Sequence, residues 1–328
     1  MDWNSYSIRT DLALEAHQLA GVEQGGTEIP GVDVEQTDES GIHISRMHIK
    51  DMNGSRIMNK MMGHYLTFDV PELRYKDPEL QHKVAEVFAR ELKGFLRLRE
   101  KDSVLVVGLG NWNVTPDALG PLVVEKLFVT RHLFLHMPDV VKEGFRPVAA
   151  VAPGVLGITG VETSEIVKGI VEHIQPDLVI AIDALASRSL ERVNTTIQIT
   201  DTGITPGAGV GNRRKGLNIQ TLGVPVVAIG VPTVVDAVTI AHDTIDLLIQ
   251  RIERDVPGNT CAQLFENFTE QEKKQLIHEL LQPLGQNLMV TPKEIDTFIE
   301  DIASVVANGL NVALHDAITM EDAAMYLQ

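Results

Sequence analysis

Two aspartates stand where side chains can do chemistry. Asp117 lies in SVLVVGLGNWNVTPDALGP (Ser103–Pro121) and Asp183 in DLVIAIDALASRS (Asp177–Ser189). Each follows an aliphatic run of the kind that forms a strand buried on both faces. In an open parallel sheet, ligands bind at the carboxyl ends of the strands. Two carboxylates delivered there can flank a water and share one proton, because two close carboxylates do not both ionise cheaply. Each residue also has a plainer reading. Asp117, in Thr115-Pro116-Asp117, can be a carboxylate favoured near a helix N-terminus. Asp183 can cap a helix beginning near Ala184.

Other chemistry is less well supported. Gly108-Leu109-Gly110 lacks the third glycine of a dinucleotide fingerprint, since position 113 is Asn. Gly154, Gly157 and Gly160 precede a helix, but no Gly-Lys-Ser/Thr follows. The glycines of Gly207–Gly211 follow no long buried strand. His132 and His136 have metal-ligand spacing, yet the glutamate of a zinc-protease helix is missing. Ser187 and Ser189 lie outside any Gly-x-Ser-x-Gly elbow. The single cysteine, Cys261, sits in a polar stretch without an activating environment.

The elements that must carry the aspartates form an α/β pattern. Strands are expected at Val104–Val107, Val148–Val151, Leu178–Ile182, Thr196–Ile199 and Pro225–Ile229. Helices are expected between them, near Leu122–Val129, Glu162–Ile174 and Val234–Ile252. The alternation predicts a doubly wound, mostly parallel sheet with helices on both faces. Asp77-Pro78 opens an amphipathic helix through Leu96. Residues 1–40 read as an extended or weakly ordered arm, and residues 41–50 with His64–Val70 as a small β-substructure. After Pro257-Gly258 the pattern is helical. Thr269–Leu281 is one helix, and the capping box Thr291-Pro292-Lys293-Glu294 opens another that ends near Gly309. The expected division is 1–11, an N-terminal arm and β-substructure over 12–76, an α/β core over 77–256 and a helical segment over 257–328.

Composition bounds the partners. A formal net charge of −17 opposes binding to nucleic acid or an anionic membrane. One cysteine rules out an internal disulfide and fits a reducing, cytoplasmic compartment. No apolar run is long enough to span a bilayer, and the N-terminus lacks the apolar core of a secretory signal.

Long strings of this chain resemble the germination protease of endospore-forming bacteria. They include YSIRTDLALEA (Tyr6–Ala16), VVGLGNWNVTPDALGP (Val106–Pro121), GFRPVAAVAPGVLGITGVETSEI (Gly144–Ile166) and IAIDALASRSLERVNTTIQITDTGI (Ile180–Ile204). GVGNRRK (Gly209–Lys215), GVPVVAIGVPTVVDAVTI (Gly223–Ile240) and LMVTPKEIDTFIEDIA (Leu288–Ala303) extend the likeness over nearly the whole chain. Relatives carry a longer insert between Ile252 and Cys261. The resemblance implies an endopeptidase of the spore core that degrades small acid-soluble spore proteins. It implies a fold related to hydrogenase-maturation endopeptidases, a homotetramer, and Asp117 and Asp183 as the catalytic pair. It further implies a zymogen that removes its own propeptide. The family's substrates are cut after Thr/Ser-Glu and before an apolar residue, Ala, Ser and Glu. Thr10-Asp11-Leu12-Ala13-Leu14-Glu15 reads as a weakened copy, with cleavage between Asp11 and Leu12.

The expected mechanism needs no cofactor and no metal, and the Gly108, Gly110 and Asn111 loop is a candidate to hold the oxyanion. Two other readings stay open. One is a metal-assisted hydrolase with the same aspartates as ligands and His132 completing the set. The other is a ligand-sensing α/β module without catalysis.

Overall fold

A computed structural model describes residues 10–24, 26, 28–206, 215–255, 272, 275, 277, 279 and 288–326. Cys261, Gly207–Gly211 and most of the helix expected at Thr269–Leu281 lie outside the described residues.

Among the described residues, nine strands form one sheet. They are β1 (Val32–Glu39), β2 (Ile42–Ile49), β3 (Gly63–Asp69), β4 (Val104–Gly108), β5 (Val148–Val151), β6 (Leu178–Ser187), β7 (Thr196–Thr200), β8 (Val226–Asp236) and β9 (Met289–Val290). The order is β1-β2-β3-β7-β8-β6-β4-β5, with β9 pairing the end of β8. The sheet is mixed. β8, β6, β4 and β5 are parallel, as the α/β pattern requires. β7, β3, β2 and β1 continue the same sheet antiparallel. The expectation of a mostly parallel sheet therefore holds for the α/β half. The N-terminal β-substructure extends that sheet instead of standing beside it. The cause is β7: it pairs antiparallel with β8 and offers its other edge to β3.

Helices cover both faces. On one face α1 (Ala13–Gln24) and α2 (Met52–Met58) pack on β2 and β3 through Ala13, Ala16, Ala20, Met58 and Tyr65. Farther along that face, the helix Thr163–Ile174 covers β4 and β6 through Val167 and Val171. The opposite face carries α3 (Pro78–Leu96), α4 (Leu119–Glu125) and the long helix Ile295–Leu314 over strands β2 to β8. Asp77 caps α3 by accepting from the Glu79 amide (2.9 Å), with Pro78 at the first position as expected.

Four local expectations change. The first forty residues are not a weakly ordered arm from Thr10 onward. Leu12, Ala13 and Leu14 are buried, α1 follows directly, and β1 pairs along the whole of β2. Asp183 does not end its strand: β6 runs on to Ser187, paired with β8 through Val235 across a bulge at Leu185/Ala186. That pairing also carries β8 to Asp236 and delays the following helix to Ala237–Asp255. The capping box at Thr291 does not form. Its hydroxyl donates to the Thr233 carbonyl (2.8 Å), and the helix starts at Ile295 and continues to Leu314.

Candidate active site

The parallel half has the spatial order β5-β4-β6-β8. The chain leaves β4 toward one edge and returns on the other side of it, so the topological switch point lies between β4 and β6. That is where a doubly wound sheet opens a crevice at its carboxyl end. β4 stops at Gly108, opposite Ile182. Asp183 is therefore the first residue of β6 beyond the end of its neighbour.

Asp117 lies on the loop after β4, beside the same switch point. It closes the 3-10 turn Thr115–Asp117, just before α4. The turn is pinned at two points, and the loop that leads to it at a third. The Asn111 amide donates to the Asp117 carbonyl (2.9 Å), the Leu109 amide donates to Ile182 on β6 (2.7 Å), and the Thr233 hydroxyl of β8 donates to the Pro116 carbonyl (2.6 Å). Gly110 has φ +117, and a Cβ there would lie 1.9 Å from the Asp117 carbonyl oxygen. Only glycine fits that approach. Gly108 is equally tight, because its Cβ would meet the Gly120 carbonyl at 2.2 Å. The Gly108–Asn111 loop thus holds Asp117 in place, with its Leu109 and Asn111 amides engaged in doing so.

Asp183 is 5% exposed, with the Ala184 amide donating to its Oδ1 (3.0 Å). Its neighbours across the sheet follow from register: Asp183 opposes Gly230 on β8, which opposes Gln198 on β7. All three share one face. Gly230 has no side chain, and the Leu185 side chain packs over it, where a Cβ would lie 2.4 Å from Leu185 Cδ1. Asp183, Leu185, Gly230 and Gln198 line a cavity of about 210 Å3, together with Lys60, Tyr65 and Asp11. It lies between the part of this face covered by α1 and α2 and the part covered by the helix Thr163–Ile174.

Asp11 brings the proposed scissile bond into that cavity. Its amide donates to the Ala186 carbonyl (2.9 Å), and its carboxylate accepts from the Ala186 amide (2.9 Å). Its carbonyl oxygen accepts from Lys60 Nζ (2.9 Å) and Gln198 Nε2 (3.3 Å). Lys60 also donates to the Thr10 carbonyl (3.0 Å). On the far side of the bond, Leu12 is fully buried and the Ala13 amide donates to Gln198 Oε1 (2.6 Å). Burial pushes the Asp11 carboxyl above its ordinary range, against the opposing pull of Lys60 and the Ala186 amide. The same burial holds the Lys60 ammonium below its ordinary value, with Asp11 and Glu15 working the other way.

The structure thus brings Asp183 and Asp11 to one cavity, with Leu12 buried next in the chain; Asp117 lies on the loop after β4 at the switch point and is not among the residues that line that cavity. It does not bring His132 there. That residue is exposed on the short helix Arg131–His136 beside β5, two strands removed from β6. Lys60 and Gln198 were not singled out in the sequence. Gln198 had a signal: a glutamine inside the apolar strand TIQIT must find hydrogen-bond partners when buried. Lys60, in a turn after α2, had none.

The chain is similar to known proteins over nearly its whole length. A family model described as germination protease matches residues 10–263 and 252–327. A germination protease from Bacillus cytotoxicus is 50% identical, with 99% of this chain and 98% of its own length aligned. Those of Bacillus cereus strain G9842 and Bacillus licheniformis are 51% and 49% identical over the same shares. A solved NiFe hydrogenase maturation protease, HycI from Thermococcus kodakarensis, aligns at 19% identity with a TM-score of 0.30. It covers 64% of this chain and 93% of that one.

Proposed function

The chain belongs to the germination protease family, and on that premise we propose that it is the endopeptidase that begins degradation of small acid-soluble spore proteins at germination. In this reading it is made as a zymogen that cuts its own chain between Asp11 and Leu12, in the spore core and as a homotetramer. One observation carries the self-processing: that bond lies docked in the cavity of Asp183, its carbonyl oxygen already bonded to Lys60 and Gln198.

The chemistry follows from these groups. Asp117 and Asp183 share a proton and hold a water between them. The ionised carboxylate takes a proton from the water as its oxygen bonds to the Asp11 carbonyl carbon. Negative charge then develops on the carbonyl oxygen. A cation and an amide donor already directed at that oxygen stabilise it without reorganisation. Collapse breaks the bond to the Leu12 nitrogen, and the protonated carboxyl delivers its proton to the leaving amine. The products are a carboxylic acid at Asp11 and a free amine at Leu12, with no cofactor consumed.

The test is N-terminal sequencing of the purified chain after incubation. The product should begin Leu-Ala-Leu-Glu. Asp117→Asn and Asp183→Asn should each keep the fold and lose about 10²–10⁴ in processing rate, the range for a general acid–base group. Brisk processing by either variant would remove the aspartates from the mechanism. The metal-assisted reading predicts instead that a chelator stops processing by the natural chain.

A further inference from the structure

Gln198 touches the main chain on both sides of Leu12, the residue that follows the cut. Its Nε2 donates to the Asp11 carbonyl (3.3 Å), and its Oε1 accepts from the Ala13 amide (2.6 Å). The bond to be cut and the whole of Leu12 lie between those two contacts. Only one orientation of the side-chain amide satisfies both, because its nitrogen donates and its oxygen accepts. Gln198 is 6% exposed in the middle of β7. Its backbone is fixed from both edges of that strand, opposite Thr67 on β3 and Gly230 on β8. A polar group so placed must be hydrogen-bonded, and its partners here are main-chain groups of the junction.

In a parallel sheet, the C=O of one residue and the N–H of the residue two further on bond to a single residue of the neighbouring strand. Asp11 and Ala13 present that pair of groups, and the Gln198 amide takes the place of the neighbouring residue. A planar amide carries its donor and acceptor in one fixed relation, so the contact demands a set main-chain geometry across Leu12. Both contacts are to main chain, so they ask nothing of the side chains.

We propose that Gln198 is a substrate clamp that reads the main chain and requires an N–H on the second residue after the cut. Proline, which lacks that N–H, is refused at this position. The clamp also bears on the chemistry. A hydrogen bond accepted at Oε1 polarises the amide and strengthens donation from Nε2. The carbonyl oxygen gains negative charge as water attacks, so the N–H two residues away helps to hold it. Cleavage then places the Asp11 carboxyl and the Ala13 amide on separate chains. Each product keeps one contact where the substrate had two, which favours release. This rests on cleavage at Asp11–Leu12 as read above.

The experiment uses the full chain after it has processed itself. Three peptides share one sequence around an acid–Leu bond. The first is all amide. The second has lactic acid for alanine two positions after the cut, which replaces that N–H by an ester oxygen. The third carries a hydroxy acid one position further on, as the control for the weaker carbonyl that an ester leaves. A buried acceptor without its donor should lower kcat/KM for the second peptide about 10- to 100-fold, with kcat falling as well as KM rising. The third peptide should be cut like the first. Gln198→Leu should cut all three slowly and at one rate, because the clamp is gone. Equal cleavage of the first and second peptides by the natural enzyme overturns the clamp and leaves the endopeptidase reading standing, whether or not the variant folds. An equal loss with the third peptide, or a loss that persists undiminished in Gln198→Leu, overturns the assignment to Gln198. Failure to cut any of the three, with an N-terminus that stays intact, overturns the endopeptidase reading and the clamp with it.

Discussion

Replacing Lys60 by methionine keeps most of its length and removes the donor from the Asp11 carbonyl. If that donor stabilises the oxyanion, processing should slow by about 10²–10³, the usual loss for one oxyanion donor. Gln198→Leu should act in the same direction. A Lys60→Met chain that processes at the natural rate would leave the lysine as a mere anchor for Thr10. Asp11 gives a pH signature. Its carboxyl is pushed above the ordinary 3.8 by burial, so the docked junction favours the protonated acid. Docking is therefore strongest at low pH and weakens as pH rises through the raised value. Processing should accelerate as pH falls from 7 into the mildly acidic range, and Asp11→Asn should flatten that dependence. Rates followed by the shift in chain mass decide it; a rate that rises toward alkaline pH reverses the argument. At this scale the sequence was partly legible. Asp117 and Asp183 stood out because a carboxylate after an aliphatic strand needs a reason to be there. Lys60 did not, because a charged side chain in a turn looks like a solvated one until distant acceptors converge on it.

The long helix Ile295–Leu314 fixes the far side of the loop after α4 through two buried polar residues. Asn311 Oδ1 accepts from the Phe128 amide (2.9 Å), and its Nδ2 donates to the Lys126 carbonyl (3.0 Å). Next to the helix end, His315 Nε2 donates to the Phe128 carbonyl (3.2 Å) and Nδ1 accepts from the Arg146 amide (3.4 Å). That arrangement requires a neutral ring. Burial first, and the nearby Arg146 charge after it, hold the His315 pKa down to about 4 despite the Phe128 bond. In the unfolded chain the ring titrates near 6.5. The neutral native ring thus contributes stability in full above pH 6.5, and this is lost as pH falls from 6.5 toward 4. The loss is worth roughly 3 kcal/mol at the bottom of that window. Thermal unfolding should show Tm falling steeply between pH 6.5 and 4, and His315→Gln should be less stable at neutral pH but flatter across the window. An unchanged slope would place the acid sensitivity elsewhere. Element boundaries were legible where a single residue dictates them, as at Asp77-Pro78. They were not where pairing decides. The extensions of β6 past Asp183 and of β8 past Ile229 carry polar residues and a proline, and only the partner strand keeps them extended. The first helix was missed because its apolar residues do not form one stripe; it is held by packing on β2 and β3.

For the whole molecule, the strand order could not be read from local pattern. A mixed sheet arises because β7 and β3 pair, although residues 70–195 separate them in the chain, and no periodicity encodes which edge a strand takes. The pairing of β7 with β8 and of β8 with β6 builds the site: Gln198 on β7, Gly230 on β8 and Asp183 on β6 form one row only in this order. Charge, by contrast, is fully legible. The formal charge of −17 belongs to a chain whose family resemblance implies substrates that coat DNA. Duplex DNA gains protein affinity mainly through phosphates neutralised by Lys and Arg, with counterions released. A protein carrying 45 acidic against 28 basic residues pays repulsion on approach and has few cations to offer. It should therefore act on spore proteins as they leave the DNA, and naked DNA should not hold it. The expected outcome is no retention on duplex DNA at physiological salt, and no faster cleavage when DNA is added to a fixed amount of substrate. DNA that binds the substrate should slow cleavage, and raising the salt should relieve the slowing by freeing the substrate. Direct binding of the purified chain to DNA, with an affinity that falls linearly as log salt rises, would show a basic surface the net charge conceals and would overturn this order of events.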